Sequence, residues 1–539
     1  MVATFITFGA CFQEPERIPV DDGPIAPDTV EPTGPPLEPT APTPPVVDQR
    51  PNIVLILVDD MGWTGPGSDR LNDGNGSDYY LTPALDQLAE DSVTFDQTLA
   101  SPVCQASRAV LLTGQSAGRT KVYTNGDTNE VDPEFRTFDV PYYWSELPTS
   151  HVTLPELLGD AGYATAHFGK WHLGETGVSG PEEHGYHLNV GGTGEGFVTG
   201  GSDSHFANWD GSWDLPNLPA NDMPFQFMAD RLTDEVIAYL GTQEETPKFA
   251  MLSHFSVHHP ITAVDLDIDM FEALPPGEFH TDPVYAAMQY NVDENLGRLI
   301  SFLETTPDPR DPSAMMIDNT LVIFTSDNGG TGGYEDEGVQ TDREYTSNKP
   351  LFGGKSTTWE GGVRVPMVMR WDQGGQGGRI VHDRVGLIDL MQTIADISGV
   401  GLTEGLVQDG VSLAPFLTDA DVVWTEPDRL LHYPAYMTDG LAEEIAVRES
   451  PNTVLWRGPW KLTYTYEDAA LGGTSDGWTL YDLEADISEA DDVADEHPDI
   501  VADMATAMVD LLIATGADPL IDPDSSKFVA WPAVETLDP

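Results

Sequence analysis

Three runs of consecutive apolar residues stand out along an otherwise mixed chain: Asn52-Ile53-Val54-Leu55-Ile56-Leu57-Val58, Phe249-Ala250-Met251-Leu252 and Thr320-Leu321-Val322-Ile323-Phe324. Runs this short and this rich in β-branched residues mark strands buried on both faces. Between them the period changes. Tyr285, Met288, Val292, Leu296, Leu299 and Leu303 fall on one face of a helix that has Pro283 near its start. Strands alternating with helices predict an α/β fold with a large, mainly parallel sheet sandwiched by helices. From about Arg429 the pieces become shorter: Leu430–Tyr433, Thr453–Trp456, Lys461–Tyr464 and Trp478–Tyr481. Val501, Met504, Met508, Leu511 and Leu512 then recur at helical spacing. A smaller C-terminal antiparallel sheet plus a terminal helix is expected there.

These patterns divide the chain into a large α/β domain over 50–425 and a C-terminal subdomain over 426–539. Ahead of them, residues 2–10 are apolar and small and end Phe8-Gly9-Ala10-Cys11. That segment, 1–11, resembles the end of a bacterial lipoprotein signal, in which the cysteine is lipidated. It departs from that pattern in lacking a basic start and in carrying Phe8 where Leu is usual; a cleaved secretory signal is the alternative. Residues 12–49 are rich in Pro, Glu, Asp and Thr without period, the composition of a semi-extended tether. The expectation is an exported protein, periplasmic or at the cell surface, with Cys11 as candidate lipid anchor.

Composition narrows the partners. A 40% hydrophobic content with 12 tryptophans supports a folded, enzyme-sized core. Against 90 acidic residues stand 24 Lys and Arg, a formal charge of −66. Nucleic acid is excluded as a partner on that balance, because phosphate binding needs clustered Lys and Arg. Such acidity suits a solvated surface in salty surroundings. No run reaches the roughly 18 apolar residues of a membrane span.

Cys104 is one of only two cysteines, the other being Cys11. A lone cysteine is ordinarily an inert core thiol. Here Arg108 follows four residues later, and Ala109-Val110-Leu111-Leu112 suits the start of a buried helix. Cys104 would then sit at a loop-to-helix junction, where backbone N–H groups favour negative charge. Cys104-Gln105-Ala106-Ser107-Arg108, continuing to Leu112-Thr113-Gly114, resembles the signature of the type I sulfatases, of the alkaline phosphatase-like superfamily. In that family this cysteine is oxidised to formylglycine, the catalytic aldehyde. Ala106 stands where the oxygen-dependent maturation enzyme prefers proline, so the maturation route stays open.

Asp59 and Asp60 directly follow the first strand, and Asp327 and Asn328 follow the third. Acids at one strand end can merely cap a turn. Two pairs at equivalent ends of one sheet suit a hard cation, calcium or magnesium, since they offer oxygen alone. Asp-Asp-Met-Gly and Ser-Asp-Asn-Gly resemble the family's two metal segments, which implies one calcium ion held by Asp59, Asp60, Asp327, Asn328 and the modified Cys104. Asn72–Asp78 offers a further acidic loop, but its spacing fits a solvated turn better than a second calcium site.

Gly169-Lys170-Trp171-His172-Leu173-Gly174 matches a sulfatase motif residue for residue. Val257-His258-His259-Pro260 resembles the family's Val-His-x-Pro segment, which favours His258 over His259 as the functional histidine. Asn348–Lys355, continuing through Trp359–Pro366, resembles the last active-site segment and places Lys355 at the sulfate. Phe352 stands where a basic or polar residue is common, a change expected to alter the substrate pocket. His432-Tyr433-Pro434, Trp456–Leu462 and Tyr481–Asp486 also resemble sulfatase C-terminal segments.

The resemblance implies hydrolysis of sulfate esters, expected on a sulfated carbohydrate. Lys170, Lys355 and the metal would hold the sulfate, His258 would protonate the departing alcohol, and His172 would deprotonate residue 104 to expel sulfate. Asp327 would take up the nucleophile's proton, and Arg108 would steady residue 104. A formylglycine maturation enzyme is an implied partner. Two alternatives share the fold: a phosphodiesterase or phosphonate monoester hydrolase, and a catalytically inactive, glycan-binding surface protein.

Overall fold

Strand β1 (Asn52–Val58) is buried along its whole length and has a parallel neighbour on each side. The computed structural model describes residues 49–125, 136–197, 205–207, 212, 215–218, 220, 223, 225–334, 344–438, 447–467 and 477–532. The segment expected to carry the signal, Cys11 and the tether lies outside them, Gln49 apart.

The remaining strands of the large sheet are β2 (Val93–Leu99), β3 (Ala164–Gly169), β4 (Leu188–Val190), β5 (Lys248–Ser253), β6 (Thr320–Ser326), β7 (Arg364–Arg370), β8 (Ile380–Val381) and β9 (Val385–Gly386). Their spatial order is β8-β2-β7-β6-β1-β5-β3-β4, with β9 also on β2. All pairs are parallel except those made by β7, which runs antiparallel to both β2 and β6. The mainly parallel sheet expected from the apolar runs is therefore present.

Side chains of β1 alternate between the two faces, as the two-residue period requires. Val54, Ile56 and Val58 join one core with Leu296, Leu299 and Leu303 of helix α4 (Pro283–Thr305). Ile53, Leu55 and Leu57 join the other with Leu111 and Leu112 of helix α2 (Cys104–Thr113) and Ile394 of helix α5 (Leu390–Ile397). Pro283 occupies the first turn of α4, and the Asp282 side chain accepts from the Val284 and Tyr285 amides. These are a preset φ and a capped amide pair at one helix start. Helices α1 (Pro83–Glu90) and α3 (Met228–Leu240) both pack against α4.

The C-terminal pieces form a four-stranded antiparallel sheet, β10 (Arg429–Tyr433), β11 (Asn452–Arg457), β12 (Trp460–Thr465) and β13 (Trp478–Asp482), in that order. Helix α6 (Pro498–Ala514) packs Val501, Met504, Met508 and Leu512 on Leu455, Leu462 and Leu480. Leu511 is only half-buried at the edge of that core.

Register positions the site. Val58 pairs with Ser326, so Asp59 and Asp327 emerge side by side beyond two matched strand ends. Leu57 pairs with Ser253, and Gly169 with Ser253, which brings the chain after β5 and Lys170 to the same edge. Ligand sites in parallel sheets collect at this carboxyl edge. The Asn72–Asp78 loop is taken up locally: Asn72 donates to the Pro66 carbonyl at 3.1 Å, and Asp78 accepts from the Glu278 amide at 2.7 Å.

Candidate active site

Cys104 opens α2 rather than preceding it, with Val103 extended at the cap position and no side-chain cap. The helix thus begins five residues before the Ala109 run from which it was read. Its N-terminus lies among the strand-end carboxylates, and the dipole of a helix start favours an anion. Burial, helped by Asp59 and Asp327, overrides this for a thiol: Cys104 is fully buried, and its pKa is pushed up to about 11, with Lys170 and Lys355 opposing. A thiol held in this state is a poor nucleophile near neutral pH.

Four groups converge on it. One ligand atom each from Asp59, Asp60, Cys104 and Asp327 lie within 4.8 Å of one another. Asp60, Cys104 and His258 form a second such group. Asp60 adopts a left-handed φ of 65°, which an aspartate tolerates better than most residues. The Asn328 amide donates to Asp60 Oδ1 at 2.7 Å, while its own Oδ1 is buried with no hydrogen-bond partner. Asp59 Oδ1 is buried and unpartnered as well. Two orphaned oxygens in one acidic, oxygen-rich cluster fit a hard divalent cation, because buried acceptors without partners are costly.

Cations face these carboxylates. Lys170 Nζ meets Asp59 Oδ2 at 2.5 Å, and Lys355 Nζ meets Asp60 Oδ1 at 2.6 Å. Arg108 grips Asp327 Oδ2 with Nε at 3.0 Å and Nη2 at 2.8 Å. Its Nη1 donates to the Lys170 carbonyl at 2.7 Å and to Ser253 Oγ at 2.6 Å. Arg108 therefore ties α2 to the ends of β3, β5 and β6. Burial raises the Asp59 carboxyl against the pull of Lys170, and burial with Asp59 raises Asp327 to about 6. Burial also acts on Asp60, but Lys355, His258 and Lys170 outweigh it and hold that carboxyl well below the usual range.

Local backbone explains the placement of Lys170. The Lys170 amide donates to Ser253 O at 2.9 Å, and Gly169 takes φ 94°. A Cβ on Gly169 would lie 2.0 Å from that same carbonyl, so only glycine permits the approach. His172 follows at φ 61°, with Nδ1 buried and unpartnered. Burial, then Lys170 and Arg108, hold its imidazole well below its ordinary pKa. His258 lies with Nε2 3.9 Å from Asp60 Oδ2 and Nδ1 2.7 Å from the His259 carbonyl. Burial, then Lys355 and Lys170, push it down to about 3.

A sulfatase family model matches residues 51–400. The chain belongs to the sulfatase family. It is a sulfuric ester hydrolase of the alkaline phosphatase-like fold. Among similar proteins, a sulfatase of Formosa agariphila is 29% identical over 499 residues, 84% of this chain and 86% of that one. The N-acetylgalactosamine-6-sulfatase of Mus musculus is 29% identical over 465 residues, covering 81% and 78%. In three dimensions this sulfatase resembles the crystal structure of Ps i-CgsB in complex with k-i-k-neocarrahexaose, with TM-score 0.64, 24% identity and coverage of 86% and 93%.

All ten residues singled out in the sequence lie at this one edge of the sulfatase sheet. Several of their neighbours carried no sequence signal. Asn125 Nδ2 lies 3.9 Å from Cys104 Sγ, and its Oδ1 accepts from the Gln105 amide at 3.0 Å. Thr331 donates to Asp60 Oδ2 at 2.9 Å, and Tyr285, from the periodic face of α4, donates to the Asp60 carbonyl at 3.1 Å. Thr331 sits three residues past Asn328, the one hint that was available; Asn125 had none. His259 is exposed and stacks on Tyr345, at 6.1 Å and 20°. Phe352 packs edge-on against Trp359, with centroids 4.9 Å apart.

Proposed function

We propose that this sulfatase is an exported, calcium-dependent enzyme that cleaves sulfate esters of a carbohydrate through a formylglycine made from Cys104. The observation that carries the reading is the placement of Cys104 on a helix N-terminus within one cluster of Asp59, Asp60 and Asp327. Asp59, Asp60, Asp327 and Asn328 would hold the ion, and a purely oxygen set around residue 104 favours calcium or magnesium over zinc. The carbohydrate substrate is supported by the activity named for the mouse relative. Export is supported by the Phe8–Cys11 segment and the proline-rich stretch after it.

A sulfate ester is an anion, so attack on its sulfur requires fixed positive charge in a site poor in water. The ion would supply part of that charge; a hydrated aldehyde at position 104 would supply one hydroxyl to attack sulfur and a second for release of sulfate. The remaining work falls to side chains. Lys170 and Lys355 each pair with one cluster carboxylate, and once those carboxylates are on a cation the two ammonium groups are available to sulfate oxygens. Asp327, oriented by the two-pronged contact with Arg108, takes the proton of the attacking hydroxyl at a carboxylate oxygen. His258 gives its Nε2 proton to the departing alcohol. It is neutral at rest because it is buried and two lysines face it, and an arriving anion offsets the field of the lysines and favours its gaining the proton. His172, kept neutral, accepts the proton of the second hydroxyl on residue 104.

Mass spectrometry of the Cys104 peptide from an active preparation tests the modification. Conversion to the aldehyde is expected, and unmodified thiol with full turnover would refute it. Chelation tests the ion by a route independent of activity. Removing it should lower the melting temperature, and calcium should restore it. At a hundredfold excess over its Kd a ligand stabilises by about 3 kcal/mol. A melting temperature indifferent to chelator and to calcium would count against the assignment.

A further inference from the structure

One of the C-terminal segments that resemble sulfatases, Trp456–Leu462, contributes nothing to the chemistry above. Its surroundings give it a task. Lys461, on β12, is buried, and its ammonium lies 2.6 Å from Glu489 Oε1 and 3.3 Å from Glu360 Oε1. It also donates to the Thr358 carbonyl at 2.9 Å and lies 5.2 Å from the Trp456 ring centroid. Trp456 Nε1 donates to Glu360 Oε1 at 2.8 Å, and the Glu360 amide donates to Glu489 Oε2 at 2.7 Å. Thr358 Oγ1 donates to Glu449 Oε1 at 2.8 Å. Five contacts from the C-terminal part of the chain thus end on Thr358 and Glu360.

Those two residues belong to the loop that carries Lys355. The Lys355 amide donates to Gly330 O at 3.0 Å, and the Ser356 amide to Pro102 O at 2.8 Å. The loop closes on itself through the Gly361 amide and Phe352 O at 2.9 Å, and meets the chain beside Asn328 through the Gly329 amide and Gly362 O at 2.9 Å. Glycines at 353, 354, 361 and 362 leave it few side chains of its own to pack. Beyond these backbone bonds, its side-chain anchorage rests largely on what holds Thr358 and Glu360. Buried charges hold a geometry firmly, since a displaced partner leaves a charge uncompensated.

We propose that Lys461, seated between Glu360 and Glu489, is a positioning residue for Lys355, so that the C-terminal sheet sets the enzyme's affinity for sulfate. The inference rests on the reading of Lys355 as a sulfate ligand. A purely structural role for Lys461 would affect stability without affecting sulfate, which makes the two separable.

The experiment is a double-mutant cycle on the full chain in calcium, reading the Kd of inorganic sulfate by calorimetry together with the melting temperature. Lys355→Ala should weaken sulfate tenfold or more. Lys461→Met should weaken it by a comparable factor, and the double variant should be no weaker than Lys355→Ala alone, because coupled residues are not additive. An unchanged Kd in Lys461→Met, or full additivity in the double variant, overturns the proposal while leaving Lys355 in place. An unchanged Kd in Lys355→Ala overturns the reading of Lys355 and this proposal with it. Should Lys461→Met fail to fold, Thr358→Val removes only the hydroxyl contact with Glu449 and enters the same cycle. A two- to fivefold weaker Kd, absent in the Lys355→Ala background, is then expected, and no change overturns the proposal.

Discussion

His258 and His259 are chain neighbours with opposite surroundings. His258 turns its ring toward Asp60 and Lys355, while His259 is exposed and stacks on Tyr345. Only the first can reach an ester held at the lysines. His258→Ala is expected to slow hydrolysis of esters with poor leaving groups by about 10²–10⁴-fold, the usual contribution of a general acid. Esters of acidic phenols, whose alcohols leave without a proton, should be affected far less. His259→Ala should change turnover little on either. Steady-state rates across a leaving-group series decide it, and the reverse ranking of the two variants would remove His258 from this role.

Elements hold such residues in place by packing that titrates separately from the site. His432, on β10, is buried between Thr453 Oγ1 at 2.8 Å from Nδ1 and the Asp518 carbonyl at 3.1 Å from Nε2. Burial pushes its pKa from 6.5 down to about 4. The unfolded chain therefore binds the proton between those values and the folded chain does not. Stability contributed by the neutral ring is complete above pH 6.5 and is lost as pH falls toward 4, by on the order of 3 kcal/mol at most. Thermal melts from pH 7 to 4 should show His432→Gln with a shallower acid slope than the parent chain. Parallel slopes would mean that this histidine does not titrate across folding.

At the scale of the whole molecule, a charge of −66 surrounds a site built to take an anion. Lys170, Lys355 and Arg108 balance Asp59, Asp60 and Asp327 one for one, so a cation bound among the carboxylates would make the interior positive, a field that an approaching substrate meets only at short range. The repulsion outside it depends on salt, with a Debye length of about 30 Å at 0.01 M and about 8 Å at 0.15 M. Raising sodium chloride at saturating calcium should increase kcat/KM for a polymeric sulfated glycan, and alter it less for a small mono-sulfated ester. A steep fall for the polymer would instead reveal an extended basic groove.

Local pattern was enough for the strands and helices with a strong period. The β-branched run of β1, the stripe on α4 and the C-terminal strands follow from side chains that have one apolar environment open to them. The site residues were legible because each lies within a few positions of a strand end or a helix start, where the chemistry clusters in short motifs. Pairings were not legible, since they depend on register between distant segments. Lys170 meets Asp59 across 111 positions, and Arg108 meets Asp327 across 219. The antiparallel insertion of β7, the contact of Asn125 with Cys104 and the seat of Lys461 between Glu360 and Glu489 have the same origin. Sequence alone determined which groups this protein gathers at the carboxyl edge of its sheet; only the tertiary structure decided which carboxylate each cation faces, because a buried charge takes the partner that packing places within reach.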